Sequence, residues 1–260
     1  MKYGFIGTGN MGGALARAVA KKYAADVLLY DKAMDKARAL AEETGAQAAD
    51  FAALVAQSDY IFIGVKPYLV AQVLSQVKDA LQGCRPVIVS MAAGISVSEL
   101  SSMIDLPIIR ILPNTPVSVG QGLTLAAKND QVTEEMTAAF LDAMALSGDV
   151  MWMEENVFDG AGTVAGCGPA FAYMFMEALA DGGVYCGVPR DKAMLCAAQM
   201  VIGAGEMLKQ SGMHPGALKD AVCSPGGSTI EGVRTLEENA FRSAVTQAVI
   251  NAWKKMTGKM

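Results

Sequence analysis

One histidine, His214, stands in 260 residues. That scarcity removes any mechanism built on a His dyad, and any His-rich metal site, so no metal is expected. The five cysteines (Cys84, Cys167, Cys186, Cys196, Cys223) are odd in number and form no CxxC pair; they point to a reduced, cytoplasmic chain without disulfides or structural zinc. Charged residues make up only 18%, the net charge is −5, and no long basic run occurs, which excludes a nucleic-acid backbone as partner. No apolar run reaches the roughly 20 residues that a membrane span needs. The nearest, Gly160 to Met176, is uncharged but contains Gly162, Gly166, Gly168 and Pro169, and is expected to be a buried or interface helix rather than a membrane segment. A strand begins almost at once after Lys2, so no signal peptide is expected.

At 260 residues, 52% of them apolar, the chain is long enough for one large domain or two ordinary ones, each with a core. Up to residue 153, short β-rich runs ("YGFIG", "VLLY", "YIFIGV", "PVIVSM", "IIRIL", "LTLAA", "VMWM") alternate with amphipathic stretches such as "DKARALAEE" and "PYLVAQVLSQVKDAL". That rhythm predicts a parallel sheet with crossover helices. From residue 154 strand candidates stop, and alanine-rich helical segments follow, punctuated by "GCGP", "GVPRD", "HPG" and "SPGG". The expected architecture is α/β: a Rossmann-type dinucleotide-binding domain over residues 1–153, joined directly to an all-helical domain over residues 154–260.

The opening "YGFIGTGNMGGALARAVA" sets Gly7, Gly9 and Gly12 in a GxGxxG after a strand and at the head of a helix. Gly7 permits the turn, Gly9 lets a pyrophosphate approach, and Gly12 brings helix and strand together, while the helix N-terminus supplies N–H donors. The second strand ends in Asp31, nineteen residues beyond Gly12, where an acid accepts from both ribose hydroxyls. A carboxylate there repels a 2′-phosphate, which favours NADH over NADPH, although Lys32 beside it would attract one.

Lys66 and Pro67 end the strand "YIFIGV", at the edge where open α/β sheets bind ligands. "SMAAGIS" and "ILPNTP" end the next strands with small or amide side chains. Val65, Lys66, Ala92, Ala93, Asn114 and Thr115 are therefore the expected lining around the nicotinamide. A lysine acid–base group of the kind hydroxy-acid dehydrogenases use is absent from "GTVAGCGPAFAYMFMEALADGGV". Reduction of a cyclic imine asks less, because a protonated C=N is already electrophilic and needs chiefly positioning.

A second anion-friendly stretch, "AVCSPGGSTIEGV", comes two hundred residues later. Gly226 and Gly227 leave backbone N–H groups bare, and a helix starting near Thr229 would add its positive end. The residues alone fit equally a plain connector with Ser228 or Thr229 as N-cap.

"GPAFAYMFMEALADGGVYCGVPRDKA" and "HPGALKDAVCSPGGSTI" strongly resemble the pyrroline-5-carboxylate reductases, the last enzymes of proline biosynthesis. The likeness runs the length of the chain, through GxGNMG (Gly7 to Gly12, with Asn10 and Met11), VKP (Val65 to Pro67), MAAGIS (Met91 to Ser96, with Gly94) and PNTP (Pro113 to Pro116). It departs at Ala165 and Cys167, where the family commonly has serines. The resemblance implies hydride transfer from NADH or NADPH to the C=N bond of 1-pyrroline-5-carboxylate. It implies that Ser224, Gly226, Gly227, Ser228 and Thr229 hold the substrate carboxylate, that Thr229 orients the ring nitrogen, and that Lys66 borders the nicotinamide. It also implies a helical domain that pairs with a second copy, as a dimer or a larger homo-oligomer.

Overall fold

The computed structural model describes residues 1–259. Eight strands form one sheet: β1 (Tyr3–Ile6), β2 (Val27–Tyr30), β3 (Gln47–Ala48), β4 (Tyr60–Ile63), β5 (Val87–Ser90), β6 (Ile108–Pro113), β7 (Gly122–Lys128) and β8 (Gly148–Trp152). Their spatial order is β3-β2-β1-β4-β5-β6-β7-β8. The chain leaves β1 toward β2 on one side and returns to β4 on the other, so the order reverses beside β1, and a crevice opens there at the strands' carboxyl ends. All seven strands expected from sequence form. The sheet departs from an all-parallel one at β6–β7, which pair antiparallel, because only the short turn around Thr115–Val119 joins them and a parallel crossover needs a longer connection.

Both faces of the sheet are covered, by α1 (Asn10–Tyr23), α2 (Met34–Thr44), α3 (Phe51–Gln57), α4 (Val70–Ala80), α5 (Val97–Met103) and α6 (Glu134–Met144). Strand side chains alternate between two cores. Phe5, Phe62, Val89 and Ile111 pack with Leu15, Val19 and Phe140 on one side. Ile6, Ile61, Ile63 and Ile88 pack with Leu74 and Leu100 on the other. Each such fully buried side chain contributes about 1.5–3 kcal/mol, and this fixes the strand ends that carry the crevice.

Five helices follow: α7 (Glu155–Tyr185), α8 (Arg190–Ser211), α9 (Pro215–Val222), α10 (Ser228–Glu238) and α11 (Phe241–Met256). By its internal contacts the chain divides into one compact unit of Met1–Gly166 with Lys255–Lys259, and a second over Cys167–Lys254. Gly160 to Met176 is helical as expected, and "GCGP" does not punctuate it: α7 is 31 residues long with Pro169 inside it. Pro169 has no N–H for the Ala165 carbonyl four residues back, and the Asn114 amide donates to that oxygen instead, at 3.0 Å. Among the described residues no helix is long and apolar enough to cross a membrane.

Within Cys167–Lys254 the buried apolar side chains are three alanines, Ala180, Ala193 and Ala197. Larger ones stand open, among them Met174 at 70% exposure, Leu195 at 66% and Ile202 at 59%. Such a unit lacks a core of its own size and presents apolar surface of the kind that marks an interaction face.

Candidate active site

A cleft of about 830 Å³ opens at the carboxyl ends of β1, β2, β4 and β5. Its floor is the glycine-rich turn. Gly7 has φ +95°, and a Cβ on Gly12 would stand 2.1 Å from the Gly7 carbonyl oxygen, so α1 approaches the turn as only glycine permits. In front of Gly9 the space is open. Gly9 is the N-cap of α1, no side chain caps that end and no acid sits in its first turn. The first N–H groups of a 14-residue helix are therefore left for an anion.

Asp31 stands at the cleft wall and does more than the sequence suggests. Its Oδ2 accepts from the Thr8 backbone N–H at 2.8 Å and from the Thr8 hydroxyl at 3.2 Å, and its Oδ1 accepts from the Ala33 N–H at 3.0 Å. Partial burial opposes its charge, but the donors on Thr8 and Ala33, together with nearby Lys36, outweigh it and hold the carboxyl below the usual carboxylate range. The acid thus clasps the glycine-rich turn to the end of β2. Its remaining lone pairs stay available for ribose hydroxyls.

Of the residues expected at the cofactor, Gly7, Gly9, Asn10, Met11, Asp31, Val65, Lys66, Pro67, Ala92 and Ala93 line the cleft. Gly12 lies beneath it as a packing contact. Gly94, Asn114 and Thr115 are not in its lining. For Asn114 the reason is plain, since its amide bridges the Ala165 carbonyl and the Leu123 N–H, the latter at 2.9 Å. The cleft also uses Tyr30, Phe51, Leu69, Gln72, Val73 and Gln76, which sequence reasoning passed over. Gln72 and Gln76 lie four apart on α4, one helical face, a spacing that could have been read.

The second loop lies in the helical unit. The Gly227 N–H closes a turn onto the Ser224 carbonyl at 3.0 Å, Gly226 takes φ +69°, and a Cβ on Gly227 would sit 2.5 Å from Ser224 Oγ. Both glycines are thus required by the turn itself. Gly227 is the N-cap of α10 and no side chain caps that helix. Ser224 and Thr229 are exposed, and no hydrogen bond of the Ser224, Ser228 or Thr229 hydroxyls occurs among the described residues. A connector with Ser228 or Thr229 as N-cap is not what forms. Glu231, the acid of the first turn, is turned to Arg234 at 3.1 Å. His214 caps α9, its Nδ1 accepting from the Gly216 N–H at 3.1 Å.

Sequence reasoning also missed Arg110. Its side chain is 4% exposed and reaches Glu155 at 3.1 Å and Asp159 at 2.8 Å, both on α7. The guanidinium lies 4.1 Å from the centre of the Phe158 ring. The signal was a lone charge inside the apolar run "IIRIL".

Two family descriptions match the chain: "Pyrroline-5-carboxylate reductase dimerisation" over residues 155–258, and "NADP oxidoreductase coenzyme F420-dependent" over residues 2–94. The pyrroline-5-carboxylate reductase of Escherichia coli is 42% identical over 98% of this chain and 96% of its own length, and that of Arabidopsis thaliana 36% identical over 98% and 94%. The solved structure of Plasmodium falciparum pyrroline carboxylate reductase with NADP bound superposes with a TM-score of 0.87 at 30% identity, covering 99% of this chain and 97% of that one. With the glycine-rich cleft and the late Ser-Pro-Gly-Gly turn both in place, the chain belongs to the pyrroline-5-carboxylate reductase family.

Proposed function

We propose that this protein transfers hydride from a reduced nicotinamide cofactor to the imine carbon of 1-pyrroline-5-carboxylate while the ring nitrogen carries a proton, giving L-proline. The cofactor's pyrophosphate rests on Gly7, Gly9 and the first turn of α1, with Asn10, Met11 and Gly12 completing the turn. Asp31 accepts from the adenosine ribose, and NADH is preferred because that carboxylate repels a 2′-phosphate. The nicotinamide lies toward Val65, Lys66, Pro67, Ala92 and Ala93.

The observation that carries the substrate assignment is the unengaged start of α10. With the Gly227 N–H engaged by the Ser224 carbonyl, the backbone N–H groups of Gly226 and Ser228 and the hydroxyls of Ser224 and Thr229 stand at a helix start that no side chain caps, a fitting cradle for a carboxylate. The Thr229 hydroxyl orients the ring nitrogen, and catalysis is mainly placement of the C=N bond against the hydride. The helical unit, with three buried alanines and an open apolar surface, pairs with a second copy as an obligate homodimer whose sites both chains complete. The protein acts in the cytoplasm, over residues 1–153 as nucleotide-binding domain and 154–260 as substrate-binding and dimerisation domain. NADH oxidation followed at 340 nm tests the activity, with 1-pyrroline-5-carboxylate and its six-membered-ring homologue compared. Turnover of the five-membered ring supports the reading; no oxidation with either, or preference for the larger ring, contradicts it.

A further inference from the structure

Arg110 and Leu112 near the end of β6 and Asn114 just past it alternate and so project to one side, successive ones about 6.6 Å apart. Each meets a successive turn of α7, whose pitch is about 5.4 Å. Arg110 pairs with Glu155 and Asp159. Leu112 fills the place where a Cβ on Gly162 would stand, 2.3 Å from its Cδ2. Asn114 donates to the Ala165 carbonyl at 3.0 Å and accepts from the Leu123 N–H at 2.9 Å. An Asn at a helix N-cap ordinarily caps it. Asn114 occupies that position before Thr115–Val119 yet makes no cap bond, because its Oδ1 accepts from the Leu123 N–H instead while its Nδ2 donates across to α7. The carbonyl it holds is the one that Pro169 deprives of an intrahelical donor.

We propose that Asn114 is a positioning residue: without itself lining the cofactor cleft, it ties α7, the helix that leads into the unit carrying the proposed substrate loop, at the carbonyl freed by Pro169. The role rests on the reductase reading above. An amide suits it because it offers a donor to a carbonyl and, on a separate atom, an acceptor to an N–H, so that it can bridge two distant backbone groups. Loss of the tie leaves cofactor binding intact and loosens the geometry on which hydride transfer depends.

The test uses the full-length protein and three variants. Asn114→Ala is expected to lower kcat by about tenfold while the dissociation constant for NADH stays within about twofold. Asn114→Asp keeps the acceptor for Leu123, but its carboxylate faces the Ala165 carbonyl. Only the protonated acid donates to that oxygen, so kcat relative to wild type should rise as pH falls. Pro169→Ala supplies Ala165 with an ordinary N–H partner, so the loss of Tm caused by Asn114→Ala should be smaller in that background. Weakened NADH binding with unchanged kcat in Asn114→Ala would overturn the proposal, as would an Asn114→Asp profile parallel to wild type. A wild-type protein inactive on 1-pyrroline-5-carboxylate sinks the reductase reading alone. The Tm cycle then decides the tie: additive losses overturn it, and non-additive ones uphold it.

Discussion

Replacing Asp31 by serine perturbs two functions at once, and the structure separates them. The carboxylate accepts three hydrogen bonds from Thr8 and Ala33, and a serine hydroxyl is too short to span them. Hydrogen bonds to a charged group contribute about 1.5–3 kcal/mol each. Asp31 is only partly buried, so the low end applies, and freed N–H groups recover some of it from water. The net loss of apo stability is expected at about 1–2 kcal/mol. Loss of the ribose acceptor should weaken NADH by about 10- to 100-fold. Removal of a like charge from beside the 2′-phosphate, worth up to about 4 kcal/mol at contact, offsets that loss for NADPH. The ratio of kcat/KM for NADPH over NADH should therefore rise by about 100-fold or more. The acidic limb of stability changes too. Asp31's folded pKa is depressed, so its contribution is present above the ordinary carboxylate pKa and lost as pH falls through the folded value. Asp31→Ser should lack that part of the acid-induced loss. Steady-state kinetics and calorimetric titration with both cofactors, and melting curves at several pH values, measure all three effects. A wild type that already prefers NADPH tenfold, or a variant with undiminished NADH efficiency, refutes the reasoning.

Arg110→Ala strands Glu155 and Asp159 beside a buried void and should cost about 3 kcal/mol, a fall in Tm of about 6–12 °C, whereas Arg110→Met, which still covers Phe158, should lose less; a melt within 2 °C of wild type for the alanine variant contradicts a stabilising role for the Arg110 ion pairs. Thr124 carries a buried hydroxyl with no partner among the described residues, so Thr124→Val should raise stability by about 1 kcal/mol in urea unfolding, and a lower midpoint would mean that the hydroxyl is engaged. Light scattering should find a dimer or larger assembly at every concentration that retains activity; a stable, active monomer would show that the exposed Met174, Leu195 and Ile202 need no cover.

The strands were legible because each is an apolar run closed by a turn, and the cleft because its glycines and Asp31 stand at fixed offsets after a strand. Side-chain bridges between distant segments were not legible. Asn114 looked like a cofactor residue, since it ends a strand at the binding edge, and nothing local reveals that a proline fifty-five residues on leaves a carbonyl for it. "GCGP" looked like punctuation for the same reason: the partner for the freed carbonyl is Asn114, just past β6. β3 has only two residues, too few for a periodic signal. The antiparallel β7 followed from the length of a turn, which strand patterns do not encode. In the second loop the sequence left cap and cradle equally open; the structure gives the cap to Gly227 and leaves the hydroxyls unengaged.

Turnover of the proposed substrate depends on that loop. Thr229→Ala removes one hydroxyl and keeps the backbone donors, so kcat/KM for 1-pyrroline-5-carboxylate should fall by about 10- to 100-fold, corresponding to about 1.4–3 kcal/mol. NADH affinity, titrated by fluorescence on the same preparation, should not change. Full turnover in the variant would return "SPGGST" to the status of a connector between helices, and a matching loss of NADH binding would mean that both glycine-rich loops serve one ligand.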